Sequence, residues 1–164
     1  MRRTPRRHLL FWSVAVLGTL ADQATKALVD ARFSEGAEAA VVPGLLGVRR
    51  HSNPGALAGL AGGHPTLLIF ISFAAMGVIL WLFLSAKPQR RLTDLALAMM
   101  MAGAVGNVID RLFLGHVRDF IQFLFWPQYP VFNLADVWLT VGVGLMLIGL
   151  VFGRKAPAAS EPAA

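Results

Sequence analysis

The sequence predicts an all-α membrane protein, a bundle of four transmembrane helices with a small extracytoplasmic β-rich cradle between helices 1 and 2. Of its 164 residues, 56% are hydrophobic and 15% are charged, whereas about a quarter of the residues of a soluble domain are charged. The mean hydropathy is +0.62. Four apolar stretches approach the roughly 20 residues that cross a bilayer core, with short polar or basic segments between them. We therefore expect one integral-membrane domain over residues 1–153.

The apolar stretches place the four predicted helices at about residues 9–29, 67–85, 92–114 and 134–152. The low-complexity tail 154–164 is predicted to be disordered and cytoplasmic. For helix 1 there is an alternative, because a basic N-terminus before an apolar stretch ending near Ala21 is also typical of a cleaved signal peptide. Cleavage would leave three spans and place Arg154 and Lys155 outside. Because basic residues next to membrane helices favour the cytoplasmic side, four retained spans explain the charges better.

The basic residues predict the orientation of the helices. The N-terminal "MRRTPRRH", the loop "KPQRR" and the pair after helix 4 fall on one side of a four-span protein, and positive charge marks that side as cytoplasmic. Both termini are then cytoplasmic, and the loops at about 31–66 and 115–133 lie outside. The net charge of +6 does not indicate a nucleic-acid partner, because the charges lie in short clusters between apolar stretches. Within the first outer loop, Pro and Gly punctuation over residues 40–57 predicts a small β-rich element on the membrane surface.

Polar side chains at predicted membrane depth lie almost entirely in the outer half of the bundle. A charge at that depth costs several kcal/mol and usually faces the bundle interior or a cavity. The clustering therefore predicts a site near the extracytoplasmic face. The side chains concerned, with one from the outer loop, are Asp22, Lys26, Asn53, Asn107, Asp110, Arg111, Asp119, Asn133 and Asp136.

Spacing leaves a structural interpretation open for part of this set. Asn107 and Asp110 are three residues apart, and so are Asn133 and Asp136, so each pair shares a helix face. Asn133 can cap helix 4, with Asp136 favourably placed in the first turn. Asp110 can pair with Arg111 or help to hold the outer loop.

Asp119 is harder to explain structurally, because it precedes the aromatic segment "FIQFLFW", which suits a membrane interface. Asp119 and Asp136 flank a loop whose ends enter adjacent helices, so they can converge. Of two carboxyl groups in a low-dielectric pocket, one keeps its proton and the other acts as a base. The base would activate water against a peptide carbonyl, while the acid polarises the carbonyl oxygen and later protonates the leaving nitrogen.

Metal and cofactor chemistry has little support in the sequence. The chain has no cysteine, which excludes disulfides, thiolate nucleophiles and cysteine-ligated metals. The zinc motif HExxH is absent, and the four histidines have no ligand spacing. We expect neither a metal nor a cofactor.

Five motifs carry a resemblance to a known family: "DQATK" from Asp22, "NPGALAGL" from Asn53, "GNVIDR", "GHVRDF" and "FNLAD". Over residues 9–152 the chain resembles lipoprotein signal peptidase, also called signal peptidase II. It departs from the second motif, where Pro54 follows the asparagine and Leu57 and Ala58 replace the usual Ala-Phe. That departure leaves the packing of this loop, and its lipid or inhibitor contacts, open.

The resemblance implies an aspartyl endopeptidase of the bacterial inner membrane. Such an enzyme removes the signal peptide of diacylglyceryl-modified prolipoproteins by cleaving before the lipidated cysteine. The catalytic pair falls on Asp119 and Asp136, and the family's supporting positions fall on Asp22, Asn53, Gly55, Asn107, Asp110, Arg111 and Asn133. The implied partners are a lipidated prolipoprotein, membrane lipid and a globomycin-type inhibitor. A monomer is expected, with loops 40–66 and 120–131 clamping the substrate.

Two other functional classes remain open. Intramembrane acids also suit a small proton-coupled transporter, although the polar groups cluster at one face and no broken-helix repeat is visible. In a non-catalytic scaffold the same acids would cap helices and pair with Arg111 and Arg118.

Overall fold

The computed structural model describes residues 5–55, 65–85 and 91–152. Leu57 and Ala58, where the second motif departs from the family pattern, lie outside these residues, as does the predicted disordered tail. In chain order the elements are α1 (Pro5–Arg32), β1 (Glu38–Val42), β2 (Leu46–Asn53), α2 (Pro65–Ser85), α3 (Arg91–Leu114), β3 (Val117–Phe123) and α4 (Leu134–Phe152). The fold is therefore mostly helical, with one small sheet.

Helix α3 forms the centre of the bundle and packs against α1, α2 and α4. Small residues allow the close approach, as they do in many membrane helix pairs. A Cβ atom at Gly18 of α1 would lie 2.8 Å from the Cβ of Ala102, and one at Gly142 of α4 would lie 2.6 Å from Cγ of Met100. Because α3 is surrounded, its polar residues Asp94, Asn107 and Asp110 are buried against protein.

Three helices in the described part of the chain are long and apolar enough to cross a membrane, namely residues 66–85, α3 and α4. At 28 residues α1 is about 42 Å long, but it carries Asp22 and Lys26 among its buried residues, and its membrane span stays a prediction. Large apolar side chains on the outer faces are exposed, including Leu17 at 65% and Phe70 at 68%. Such surfaces suit contact with lipid tails.

The sheet has three antiparallel strands in the order β1-β2-β3. Strands β1 and β2 form a hairpin in the first outer loop, with Gly44 at φ 72° in the turn. Strand β3 corrects the prediction that the cradle arises only between helices 1 and 2, because it comes from the segment between α3 and α4. The pairing aligns His51 with Asp119, so the sheet brings the end of β2 beside an acid that follows α3.

Candidate active site

Asp119 and Asp136, here called the acidic pair, line one cavity of about 580 Å³. Asp119 lies within β3, and Asp136 lies in the first turn of α4. The cavity is bounded mostly by apolar side chains of α2, α3, α4 and the loop before α4. The two acids thus meet at the boundary between the sheet and the helix bundle, as their flanking of a single loop had predicted.

Asn133 links the two members of the acidic pair. Its side-chain amide donates to Asp119 Oδ1 at 2.7 Å. Its side-chain oxygen accepts the backbone N–H of Asp136 at 3.0 Å, and Asp136 Oδ2 accepts the backbone N–H of Asn133 at 3.2 Å. This reciprocal arrangement is an N-terminal helix cap. Capping and site formation are therefore two consequences of the same asparagine, and they do not exclude each other.

Two further asparagines complete the hydrogen bonds of the acidic pair. Asn53 donates to Asp119 Oδ2 at 2.9 Å, and Asn107 donates to Asp136 Oδ1 at 2.8 Å. All four carboxylate oxygens therefore accept a hydrogen bond from a neutral amide group. Neither acid forms an ion pair with any described residue. The surroundings fix the orientation of both carboxyl groups without an ion pair, although the guanidinium of Arg111 lines the same cavity.

The environment of Asp119 changes its acidity. The pKa of Asp119 is raised to about 7, mainly by burial, which leaves 3% of the residue exposed. The nearby charge of Asp136 acts in the same direction, and the amides of Asn53 and Asn133 oppose the shift. A carboxyl group with this pKa is largely protonated below neutral pH. One member of the pair can therefore carry a proton under conditions where an exposed aspartate would be ionised.

A buried charge cluster of Asp22, Lys26 and Asp110 lies behind the acidic pair. The ammonium of Lys26 lies 2.8 Å from Asp22 Oδ2 and 3.2 Å from Asp110 Oδ2, and all three side chains are fully buried. Lys26 also donates to Asn107 Oδ1 at 3.2 Å. This bond directs the amide nitrogen of Asn107 toward the pair. Within the described ranges no three His, Cys, Asp or Glu side chains form a group that could hold a metal.

The two acids of this cluster hold the backbone immediately before each member of the acidic pair. Asp22 Oδ1 accepts the N–H of Ala135 at 2.9 Å. Asp110 Oδ2 accepts the N–H of Arg118 at 2.9 Å, and its other oxygen accepts from the guanidinium of Arg118 at 2.7 Å. Ala135 and Arg118 directly precede the two members of the pair. The cluster therefore fixes α4 and β3 relative to α1 and α3.

Gly55 and Arg111 connect the end of β2 to α3. Arg111 lines the cavity and donates to the carbonyl of Gly55 at 3.2 Å. The N–H of Gly55 donates to Asn53 Oδ1 at 3.0 Å, which turns the Asn53 amide toward the acidic pair. Arg111 forms no ion pair with Asp110, so of the two structural alternatives for these neighbours only the holding of the loop matches the geometry.

Some residues of the site were not among the predicted site residues. Lys26 was recognised only as a buried charge, although its spacing of four from Asp22 indicated a pair on one helix. Gln23 bridges the elements, donating to Gly106 O at 3.0 Å and accepting from Arg118 at 2.7 Å. Arg118 was expected only as an ion-pair partner in the scaffold alternative, and it does pair with Asp110. Its bonds to Gln23, 95 residues away, and to Asp30, 88 away, gave no sequence signal.

Comparison with known proteins places these features in one family. The family model described as signal peptidase (SPase) II matches residues 14–152. The chain is 36% identical over 146 residues to a lipoprotein signal peptidase of Lactobacillus gasseri, covering 89% of this chain and 94% of that protein. It is 35% identical over 154 residues to a lipoprotein signal peptidase of Brucella ovis, covering 92% and 96%.

Solved structures give the same result for the fold. A bacterial membrane enzyme determined by the in meso method at 2.3 Å resolution superposes with a TM-score of 0.84 at 30% identity, covering 92% of this chain and 94% of that one. A second such enzyme, determined at 1.9 Å, superposes with a TM-score of 0.80 at 31% identity over 87% and 92%. The similarity covers the bundle and the sheet together.

Proposed function

Because the chain belongs to the signal peptidase II family, we propose that it removes the signal peptide from diacylglyceryl-modified prolipoproteins by hydrolysing the bond before the lipidated cysteine. The observation that carries this proposal is the convergence of Asp119 and Asp136 in one cavity, each oriented by asparagine amides. The family assignment favours a peptidase over the proton-coupled transporter. A scaffold role accounts for the buried charge cluster but not for the acidic pair, which has no ion-pair partner among the described residues.

Asp119 and Asp136 take the two roles of an aspartyl peptidase, one as general acid and the other as general base. Asp119 carries the proton, because burial raises its pKa to about 7. Asp136 is the base, since the N-terminus of α4 favours a negative charge at this position. A water molecule between them loses a proton to Asp136 as its oxygen bonds to the peptide carbonyl carbon, and the hydroxyl of Asp119 donates to the carbonyl oxygen.

The tetrahedral intermediate then collapses with breakage of the carbon–nitrogen bond. The leaving nitrogen takes a proton from the acidic pair, and the products are a signal peptide with a new carboxyl group and a lipidated protein with a free α-amino group. Asn53, Asn107 and Asn133 keep both carboxyl groups in place through these steps. Holding reactants in a fixed geometry supplies a large share of enzymatic rate acceleration.

The substrate reaches this site from the bilayer. The cavity is lined by Ile71 and Ala75 of α2 and by Val137 and Val141 of α4, which suit the acyl chains and the apolar signal peptide. The loop at 40–66, of which residues 56–64 lie outside the described part of the chain, and the segment 120–131 clamp the peptide at the outer interface. The enzyme is a multi-pass protein of the bacterial inner membrane, with both termini cytoplasmic and the site near the extracytoplasmic face. It acts as a monomer without a metal, and a globomycin-type inhibitor blocks the same cavity.

Cleavage of a synthetic diacylated prolipopeptide by the purified protein tests the proposal. We expect Asp119→Asn and Asp136→Asn each to lower kcat by at least about a hundredfold, because each removes a proton-transfer group. Glu38→Gln, which changes an exposed acid of β1, should cleave normally. Turnover by either aspartate variant at the wild-type rate would refute the assignment. Solute flux through proteoliposomes without any peptide cleavage would support the transporter instead.

A further inference from the structure

A second cavity of about 360 Å³ lies beside the acidic pair, on the side of the sheet. Its floor is formed by Arg49, His51 and Asn53 of β2, and one wall is formed by residues 127–131. Asn53 also lines the first cavity and binds Asp119. The two cavities therefore adjoin at Asn53 and at residues 129–131, which line both, and Asn53 connects the second cavity to one member of the acidic pair.

The floor of this second cavity leads away from the acidic pair along β2. His51 is the register partner of Asp119, and Arg49 lies two residues farther along the strand, about 7 Å at the rise of a β-strand. The pairing has an irregularity between Val48 and His51, and bulges of this kind redirect side chains. Arg50, in the same irregularity, lies elsewhere, donating to Phe33 O at 2.9 Å.

The charge of the second cavity is positive and unneutralised. None of the described residues that line it is acidic. Arg49 is exposed and forms no ion pair with any described residue, although Glu38 is its register partner in β1. Arg50, in contrast, lies 2.9 Å from Asp30 and 3.7 Å from Glu35. A guanidinium without an ion-pair partner beside the second cavity is suited to bind a carboxylate group of a ligand.

Gln122 supplies a second indication that a ligand belongs in this cavity. It lines the cavity, and its side-chain oxygen is buried without a hydrogen-bond partner among the described residues. Buried polar atoms are paired in the great majority of cases, so an unpaired one calls for a missing donor. Because this oxygen has almost no exposed surface, the Gln122 amide has to rotate toward the cavity before a peptide N–H can donate to it.

We propose that the second cavity binds the first residues after the scissile bond and that Arg49 selects acidic side chains among them. This proposal rests on the proposed function. A substrate spanning the acidic pair has an apolar part, which fits the cavity between α2 and α4, and a hydrophilic part that leaves the membrane over the sheet. In an extended peptide, Arg49 lies level with roughly the second to fourth residue after the cleaved bond.

The test compares diacylated peptides that differ only in the third residue after the scissile bond, which is Glu, Gln or Lys. Wild type should cleave the Glu peptide roughly two- to fivefold faster than the Gln peptide in kcat/KM, the range expected for a partly exposed ion pair. The Lys peptide should be slowest. The Arg49→Glu variant should reverse this order, and added salt should reduce both preferences. Arg32→Glu, the same charge change at an exposed residue lining neither cavity, should leave the wild-type order.

Each other outcome has a defined meaning. An unchanged order in Arg49→Glu, or an equal effect of Arg32→Glu, would overturn the inference while leaving the peptidase assignment intact. Failure of wild type to cleave any of the peptides would count against the proposed function itself. Repeating the cleavage assays in vesicles with and without anionic lipid shows whether Arg49 binds a lipid headgroup or a substrate carboxylate. If Arg49→Glu slows all three peptides equally, and only with anionic lipid, then Arg49 binds lipid and the inference is wrong.

Discussion

At the scale of single residues, Asp119 shows how its surroundings set the chemistry of a carboxyl group. It is almost fully buried, it faces a second acid, and its hydrogen bonds come from neutral amides. Buried carboxyl groups elsewhere in the molecule have cations beside them, as Asp110 has Lys26 and Arg118. Asp119 forms no ion pair with a described residue, and the more distant charge of Lys26 opposes its raised pKa of about 7 without cancelling it.

This raised pKa predicts a pH dependence of stability that Asp119→Asn should remove. The folded-state pKa of about 7 lies above the unfolded value of about 4. Between these values the folded protein binds more protons than the unfolded chain, so its free energy of unfolding should fall as pH rises from about 4 to about 7. We expect the difference in thermal stability between wild type and Asp119→Asn to change through this window. A constant difference would contradict the shift.

Lys26 is the residue whose loss should destabilise the protein most among the charged side chains of the site. It is fully buried against Asp22 and Asp110. In Lys26→Met the carboxylate of Asp22 loses its buried cation, while Asp110 keeps its pair with Arg118, and removing one partner of a buried ion pair typically costs about 3–5 kcal/mol. The free energy of unfolding in detergent measures this cost.

Two comparisons separate lost pairing from lost packing in Lys26→Met. Adding Asp22→Asn should recover part of the stability, because Lys26 is the only cation that pairs with Asp22 among the described residues, and a double-mutant cycle quantifies the coupling. Arg50→Gln, which breaks the partly exposed pair with Asp30, should cost no more than about 1 kcal/mol. Additive losses in the double variant would show that packing, and not charge, is responsible.

At the scale of secondary-structure elements, the helices were easier to predict from the sequence than the sheet. Long apolar stretches indicate membrane helices directly, and the β1–β2 hairpin was expected from its punctuation by Pro and Gly. Strand β3 was not predicted, because Asp119 interrupts its apolar pattern and the aromatic residues after it suit an interface equally well. The proximity of the acidic pair could be predicted because its two members flank one loop. The contacts of Arg118 with α1 could not, because they depend on how distant parts of the chain pack together.

Packing between α3 and α4 predicts opposite effects for two glycines on the same helix. A Cβ atom at Gly142 would lie 2.6 Å from Met100 Cγ and 2.8 Å from the carbonyl of Ala96, whereas one at Gly144 would meet nothing within 4 Å. Gly142→Ala should therefore push α4 away from α3, lowering the thermal stability and, through Asp136, kcat. Gly144→Ala should be neutral or stabilising by up to about 1 kcal/mol, because alanine favours the helix. Equal effects would contradict this close packing.

At the scale of the whole molecule, the two ends of the bundle carry different kinds of buried charge. At the end opposite the sheet, Arg7 lies 2.7 Å from Asp94 and donates to the carbonyl of Phe83 at 2.7 Å, which joins α1, α2 and α3. This buried pair corrects the expectation that the inner half of the bundle is nearly free of such groups. The charges at this end form a closed pair, whereas at the other end Arg111 and the acidic pair line a cavity.

The position of that cavity between α2 and α4 predicts how the lipidated substrate is recognised. Ala75 of α2 lines the cavity, and its neighbour Ala74 does not. A Trp side chain at position 75 would occupy space that acyl chains require. Each buried methylene group contributes about 0.8 kcal/mol, so displacing two of them should raise KM for a diacylated peptide roughly fifteenfold. Because Asp119 and Asp136 stay in place, kcat should change little.

Ala74→Trp is the matched control, since it adds the same side chain one position away on an exposed part of α2. It should leave KM near the wild-type value. Steady-state kinetics of the two variants, with thermal unfolding to confirm that both are folded, decide between the alternatives. If Ala74→Trp raises KM as much as Ala75→Trp, the added bulk disturbs α2 as a whole. If neither does, the acyl chains lie outside the space between α2 and α4, and lateral entry by this route is wrong.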